Sequence, residues 1–307
     1  MLIAGGNDAN NAAQSSAEWF DPASGTSTAA GDLVSAQIGH SATLLRDGRV
    51  LIAGGLDFDS RRRPDAAAAE LFDPVSGRFS RTADYAVGNA LYPPGQGPIW
   101  PRDVLLHDGT VLLTGNAIAE IFDPSAGIFR ATGAMRGAAY QFGMWGHTAT
   151  LLHDGTVLVA GGDDEWGQLD VAERYDPATA AFSVLPPMNQ PRTLHSATLL
   201  PDGRVLLAGG ESRARSPDGR IGFAGSLSGT EYYDPATQAF TRGPAMRQNR
   251  TAHTATLLAD GSVLIVGGVD FAPLWTGRKP ITLQSAERHV ATGMCAKRYP
   301  NRCAATR

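Results

Sequence analysis

Four histidines stand at the same place in a recurring stretch of this sequence, and imidazole is a common metal ligand. They are His40, His147, His195 and His253, and each is followed by Ser or Thr. One zinc ion needs all its ligands about 2 Å from a single point. Histidines that belong to separate repeats do not meet that requirement. We therefore predict that each imidazole bonds the Glu or the backbone of its own or an adjacent repeat, and that no metal or other cofactor is bound.

One copy of the recurring stretch departs from the others. Pro101 stands where the others have His, Arg102-Asp103 replaces Ser/Thr-Ala, and the Gly-Gly pair has become Gly115-Asn116. A guanidinium offers a fork of donors and a carboxylate offers an acceptor. The unusual copy is therefore the candidate binding site. Arg102 has a structural alternative, which is to pair with Glu120 by means of a bulge at Pro101.

Aromatic residues surround this copy, because the connections before and after it are the two longest between repeats. Flat aromatic faces suit sugar rings, peptide side chains and cations. The alternative is that these rings only pack the longer connections onto the sheet. The predicted binding residues, besides Arg102 and Asp103, are Tyr85, Tyr92, Trp100, Tyr140, Phe142 and Trp145.

The element that positions these residues is a repeat of about 50 residues, present in six copies. It reads His-(Ser/Thr)-Ala-Thr-Leu-Leu-x-Asp-Gly-x-Val-Leu-x-x-Gly-Gly, then a variable loop, then Ala-Glu-x-(Phe/Tyr)-Asp-Pro. Short apolar runs between turn signals predict four strands per copy, with a two-residue hairpin at Asp-Gly and a turn at Asp-Pro. The repeated glutamates are predicted to be structural: Glu18, Glu70, Glu120, Glu173, Glu231 and Glu287. Acidic residues just past the Gly-Gly pairs either cap loops or make that rim mildly electronegative: Asp8, Asp57, Asp164 and Asp270.

These motifs resemble the kelch family, and most closely its bacterial repeats, as in "HSATLLPDGRVLLAGG" and "AERYDP". The resemblance implies an all-β, kelch-type β-propeller of about six four-stranded blades over residues 1–292, with a tail at 293–307. The first blade would lack its innermost strand, because the sequence opens inside a copy, which suggests an N-terminally truncated chain or an imperfect seam. Galactose oxidase and glyoxal oxidase carry such blades with a copper site of two tyrosines, two histidines and a Tyr–Cys crosslink. This chain departs from that pattern, since its only cysteines, Cys295 and Cys303, lie in the tail, and we predict no catalytic residue.

Composition narrows the function further. Of the 307 residues 18% are charged and the net charge is −4, which argues against a nucleic-acid surface. No apolar run is long enough for membrane insertion, and the opening residues MLIAGGN do not predict a signal peptide. A composition with only two lysines favours a secreted or cell-surface location, and two cysteines leave a disulfide and free thiols equally open. The prediction is a monomeric, non-catalytic propeller that presents its variable-loop rim to a protein or glycan partner; the alternative is a carbohydrate-active or oxidase-type enzyme.

Overall fold

The computed structural model describes most of the chain. The described residues are 1–8, 10, 12–55, 69–86, 101–115, 118–135, 144–164, 167–215, 221–272, 276 and 278–290. Among them every regular element of two or more residues is a β-strand. No helix in these ranges is long and apolar enough to cross a membrane.

Six successive antiparallel sheets, called blades 1 to 6 here, follow one another along the chain. Blade 1 contains β1 (Leu2–Ala4), β2 (Ser16–Asp21) and β3 (Thr26–Asp32). Blade 2 contains β4 (Ser41–Leu44), β5 (Val50–Ala53), β6 (Glu70–Asp73) and β7 (Arg78–Arg81). Blade 3 contains β8 (Arg102–Leu105), β9 (Val111–Thr114), β10 (Ile118–Asp123) and β11 (Ile128–Ala134).

The later blades repeat this order but carry an additional hairpin after the second strand. Blade 4 contains β12 (Thr148–Leu151), β13 (Val157–Ala160), β16 (Ala172–Asp176) and β17 (Ala181–Val184), with hairpin β14 (Asp163–Asp164) and β15 (Gly167–Gln168). Blade 5 contains β18 (Ser196–Leu199), β19 (Val205–Ala208), β22 (Thr230–Asp234) and β23 (Ala239–Gly243), with hairpin β20 (Glu211–Arg215) and β21 (Ile221–Ser226). Blade 6 contains β24 (Thr254–Leu257), β25 (Val263–Val266) and β28 (Ala286–His289), with hairpin β26 (Val269–Asp270) and β27 (Ile281–Thr282).

The fold is a six-bladed, all-β propeller, as predicted, and blade 1 has three strands in the described part of the chain, as expected, with β1 corresponding to the second strand of the other blades. Two features differ from the prediction. Blade 6 has three strands in the described part of the chain, and the connections of blades 4 to 6 that were predicted to be loops contain hairpins.

The Asp-Gly turns have one more residue than predicted. In blade 2 the Gly48 amide donates to Leu45 O at 3.1 Å and the Leu45 amide donates to Arg49 O at 2.8 Å. Arg46, Asp47 and Gly48 therefore form a three-residue turn, with only Gly48 at positive φ (+89°). Asp47 contributes through its side chain, which accepts the Arg49 amide at 3.0 Å. The two-residue hairpin was the wrong geometry because Asp keeps an ordinary negative φ and only one left-handed residue is needed.

The Asp-Pro turns form as predicted. The Asp21 carboxylate accepts the Ala23 amide at 2.9 Å, and the Gly25 amide closes the turn onto Asp21 O at 2.8 Å. Gly25 takes φ +69°, a conformation that costs glycine little. Blades 4 and 5 place Ala180 and Gln238 at this position with φ 51° and 53°, so their turns are strained by a β-carbon.

The core lies between successive sheets and is centred on the second strand of each blade. The side chains of β9, β13 and β19 are all buried. The chain divides into two compact units, Met1–Trp145 with Asp176–Phe182 and Gly146–Tyr175 with Ser183–Arg307. Blades 1 to 3 lie in the first unit, and blades 5 and 6 with most of blade 4 lie in the second.

Candidate binding site at the irregular blade

Two repeated histidines of the second unit, His195 and His253, bond hydroxyl groups of the preceding blade. His195 Nε2 lies 3.0 Å from Thr148 Oγ1, and His253 Nε2 lies 2.9 Å from Ser196 Oγ. The partner of Nε2 is thus the Ser or Thr that follows the equivalent histidine one repeat earlier, where the sequence suggested the Glu or the backbone. Burial, together with the nearby Arg250, lowers the pKa of His253 to about 4, so this ring is neutral at physiological pH.

Pro101 occupies the place of a histidine ring. A β-carbon built on Gly161 would lie 2.8 Å from the ring of His195, and one built on Gly54 would lie 2.1 Å from Pro101 Cγ. The proline ring therefore packs against the first glycine of the preceding blade just as the imidazoles do. The proline ring has no polar atom that could bond a hydroxyl group. Ser41 of blade 2 corresponds to the hydroxyl residues that bond His195 and His253, and it donates to Ala53 O at 3.1 Å instead.

Asp103 lies in β8, two residues after Pro101. It takes the position of the small residues Ala42, Ala149, Ala197 and Ala255 of the other blades. Both carboxyl oxygens are buried, and neither has a hydrogen-bond partner among the described residues. Burial raises the pKa of Asp103 to about 7, although nearby Ser41 and the positive charge of Arg102 lower it somewhat. A carboxyl that titrates near neutrality is typical of functional sites.

Arg102 precedes Asp103 at the start of β8, which pairs with β9 without a bulge from Arg102 opposite Thr114 to Leu105 opposite Val111. Burial lowers the pKa of the Arg102 guanidinium, and the Asp103 carboxylate opposes that effect. Arg102 and Asp103 both lie at the end of the sheet where the Gly-Gly pairs are found, called here the Gly-Gly end.

Tyr85 contributes to the packing between blades 2 and 3. Its hydroxyl accepts the Gly54 amide at 2.6 Å, and its ring packs on Phe129 at 4.6 Å between centroids. In blade 4 the equivalent amide, that of Gly161, donates instead to the backbone carbonyl of Val171 at 2.9 Å. The phenol therefore replaces a backbone acceptor, which supports the packing alternative for this ring.

The other predicted aromatic residues contribute less to the described geometry. Trp145 is half-buried and lies three residues before β12, the first strand of blade 4. Four further predicted binding residues lie outside the described residues: Tyr92, Trp100, Tyr140 and Phe142. The described part of the candidate site therefore consists of Arg102, Asp103 and Trp145, with Tyr85 and Pro101 supporting it.

The repeated glutamates bond the linkers that enter their blades. The Glu70 carboxylate accepts the amides of Val34 and Ser35 at 2.8 and 2.9 Å. Glu120 accepts the Ala86 amide at 2.8 Å in the same way. Burial raises the pKa of Glu70, and the two amides partly offset this. The other anchors of these first four blades are Glu173, fully buried, and Glu18, exposed.

Blades 5 and 6 add a buried arginine to this arrangement, which was not predicted. Arg192 and Arg250 are fully buried, and they donate to the carboxylates of Glu231 and Glu287 at 2.7 Å. Their other guanidinium nitrogens donate to backbone carbonyls beside the Gly-Gly pairs. The signal was present in the sequence as an Arg three residues before the histidine in both copies.

Two acidic residues at the Gly-Gly ends of blades 4 and 5 were also missed. Asp163 and Glu211 come directly after the Gly-Gly pairs and are nearly fully buried. Gln168 Nε2 donates to Asp163 at 2.7 Å. Burial raises the pKa of Glu211, and the charge of Asp163 raises it further, while the Thr251 hydroxyl lowers it.

The described residues do not provide a metal centre. Within the described ranges no three His, Cys, Asp or Glu side chains converge as a metal site would require. The imidazoles are spread over separate blades, and those of His195 and His253 are bonded to hydroxyls. Cys295 and Cys303 fall outside the described residues, so neither their pairing nor a copper ligand set can be built from them.

Comparison with known proteins agrees with the geometry of the blades. A kelch motif matches residues 144–189, which include all strands of blade 4. A solved structure of a fungal alcohol oxidase of the AA5 family, in complex with copper, matches with a TM-score of 0.68 and 19% sequence identity. The match covers 88% of this chain and 56% of the oxidase chain, so this chain spans little more than half of it. No curated protein matches the sequence. At this identity the likeness shows the fold alone.

Proposed function

Because the chain is a six-bladed β-propeller that contains a kelch motif, we propose that it is a non-catalytic binding module for a protein or glycan partner. The partner would contact the Gly-Gly ends of the sheets, with Arg102 of the irregular blade and Trp145 of the connection that follows this blade as its anchors. A propeller fold serves many functions, so the proposal depends on the site rather than on the fold.

The observation that carries this proposal is the contrast between the two ends of the blades. The Asp-Gly and Asp-Pro ends carry turns of nearly constant length, closed by their own Asp side chains. The Gly-Gly ends carry connections that differ in every blade, from the short link before Ile118 to the 211–226 hairpin. Variable connections on a constant scaffold are the usual location of binding residues in repeat proteins.

The hydrogen bonds of the repeated polar groups also separate scaffold residues from candidate binding residues. The rings of His195 and His253, the carboxylates of Glu70 and Glu231, and the guanidinium of Arg192 are bonded within or between blades. These groups hold the scaffold and are not available to a ligand. The Arg102–Asp103 pair occurs in a single blade and has no counterpart in the repeat.

A glycan array and a panel of purified candidate proteins test this proposal, with variants that separate the two ends of the blades. Arg102→Ala and Trp145→Ala should weaken binding at least tenfold. Val75→Ala, an exposed change in an Asp-Pro turn, should leave binding unchanged. Equal loss in all three variants, or retention in all three, would place the partner elsewhere.

An enzymatic alternative has one observation in its favour, which is the buried Asp103 carboxyl with a pKa of about 7. Such a group can act as a general acid near neutral pH. Saturable turnover of a sugar, alcohol or aldehyde by the purified chain, lost in Asp103→Asn, would favour this reading over a binding module.

A further inference from the structure

The Ser41 hydroxyl of blade 2 occupies a position from which other blades supply a hydroxyl to a histidine. In blades 5 and 6 the imidazole of the repeat lies 3.0 and 2.9 Å from the hydroxyl of the preceding blade. Blade 3 has Pro101 in place of that histidine, and its ring packs against Gly54 without offering a nitrogen atom. The hydroxyl of Ser41 therefore needs a different partner in blade 3.

Asp103 of blade 3 is the polar side chain nearest to this hydroxyl. It lies in β8, opposite Leu113 of β9. Both of its carboxyl oxygens are buried without a hydrogen-bond partner among the described residues, and the nearby Ser41 hydroxyl lowers its pKa. In the structure Ser41 Oγ donates to the carbonyl oxygen of Ala53 at 3.1 Å. One hydroxyl thus lies between two acceptors, a backbone carbonyl and a buried carboxyl.

The protonation state of Asp103 decides which hydrogen bonds this hydroxyl can make. A neutral carboxyl has a proton to donate, so Ser41 Oγ can accept it while still donating to Ala53 O. A carboxylate only accepts, and Ser41 has a single proton to give. A hydrogen bond to a charged acceptor is roughly twice as strong as one to a neutral acceptor, so the ionised side chain should draw the hydroxyl away from the carbonyl.

Three other polar groups lie near these two side chains. The positive charge of Arg102 lowers the pKa of Asp103, but burial is the larger effect and raises it to about 7. His40 directly precedes Ser41, and its imidazole faces backbone carbonyls rather than Asp103. Burial lowers the pKa of His40 from its ordinary value of 6.5, so this ring titrates at a lower pH than Asp103. The hydroxyl of Tyr85 is bonded to a backbone amide.

We propose that Asp103 replaces the absent histidine as the partner of the Ser41 hydroxyl, and that loss of its proton switches this hydroxyl from the Ala53 carbonyl to the carboxylate. The contact between blades 2 and 3 then has two hydrogen-bond arrangements, one below and one above neutral pH. The histidine contact between blades 5 and 6 has no such switch in this range, because the pKa of His253 is about 4. The switch is a property of the chain alone and does not rest on the proposed function.

Carbon-13 NMR of the full chain, titrated from pH 5 to pH 9, tests the proposal. The carboxyl carbon of Asp103 reports its ionisation, and the carbonyl carbon of Ala53 reports the hydrogen bonds that its oxygen accepts. The β-carbon of Ser41 reports a change at the hydroxyl. We expect all three resonances to move together with one midpoint near pH 7. In Asp103→Asn, and in Asp103→Ala, which restores the residue of four other blades, the other two resonances should not move around pH 7.

Two further variants separate the hydroxyl from its neighbours. Ser41→Ala removes a group that lowers the pKa of Asp103, so the midpoint of the Asp103 carboxyl should move to higher pH. His40→Gln is the matched control, and it should leave the transition near pH 7 in place. The proposal is overturned by an Asp103 midpoint below pH 5, by an Ala53 resonance that does not follow Asp103, or by a transition that persists in Asp103→Asn. An unchanged midpoint in Ser41→Ala, or loss of the transition in His40→Gln, would overturn it equally.

Discussion

Replacing Asp103 by Asn removes the charge from a carboxyl whose two oxygens are buried without a hydrogen-bond partner among the described residues. Its pKa of about 7 lies well above the ordinary value of 3.8. Each pKa unit corresponds to about 1.4 kcal/mol, so the ionised form costs about 4 kcal/mol more in the folded chain than in water. The cost falls on the folded state because burial removes hydration from the charge.

The sign of the pH dependence follows from proton uptake. Between pH 4 and pH 7 the folded chain holds a proton on Asp103 that the unfolded chain has released. The contribution of this group to stability is therefore fully present below pH 4 and is lost as the pH rises through 7. From pH 5 to pH 8 the wild-type chain should lose about 2.5 kcal/mol of unfolding free energy through this group alone.

Urea unfolding of the wild type, Asp103→Asn and Asp103→Ala at pH 5 and pH 8 measures this effect. Both variants should gain stability relative to the wild type on going to pH 8, and Asp103→Ala restores the residue of four other blades. Asp47→Asn is the matched control, because the Arg49 side chain lowers the pKa of Asp47 and this carboxyl is ionised at both pH values. Its difference from the wild type should be the same at pH 5 and pH 8. Parallel pH profiles for the wild type and Asp103→Asn would refute the reasoning.

Three further changes have defined outcomes in the same unfolding assay. Tyr85→Phe leaves the amide of the first glycine of blade 2 without its acceptor and should destabilise by roughly 1–2 kcal/mol, and no loss would show that water replaces the phenol. Ala180→Gly relieves a positive φ and should stabilise by roughly 0.5–1 kcal/mol, and destabilisation would contradict the strained turn. Glu231→Gln leaves the buried Arg192 without its carboxylate and should cost roughly 3–5 kcal/mol, whereas the exposed Glu18→Gln should change stability by less than about 0.5 kcal/mol. A similar small change in both glutamate variants would contradict the importance of the buried pair.

The fold was predictable because every repeat states the same pattern of apolar strands and turn residues. Six concordant copies identify sheets that cannot cover their own faces, and stacking them is the remaining solution. The details of the turns were less accessible, because Asp-Gly fits both a two-residue and a three-residue hairpin, and the choice depends on hydrogen bonds such as Gly48 to Leu45. The hairpins of blades 4 to 6 were missed because their short strands lack a strong alternation of apolar and polar residues.

The candidate site was located from the sequence by its departure from the repeat, but its chemistry was not. Nothing in the sequence distinguishes a solvated Asp103 from one with both oxygens buried, because burial depends on the preceding blade and on the proline that replaces a histidine. Tyr85 was grouped with the binding residues by its type, whereas its hydroxyl is bonded to a backbone amide. The partners of His195 and His253 are side chains one repeat away, a distance at which sequence spacing carries no information on contact.

The two bonds between histidine and hydroxyl run head to tail, since blade 5 presents His195 to Thr148 of the repeat before it and Ser196 to His253 of the repeat after it. Any two repeats that carry this histidine and this hydroxyl can therefore be neighbours in either order, and the contact between them, called the joint here, is the same. Duplication or loss of a whole repeat therefore preserves every remaining joint, which makes the number of blades easy to change in evolution. The repeat that begins at Pro101 offers no imidazole to the Ser41 hydroxyl and has Tyr85 and Asp103 in its joint instead. It is consequently tied to its predecessor, and it should be the least exchangeable repeat of the three in the first unit.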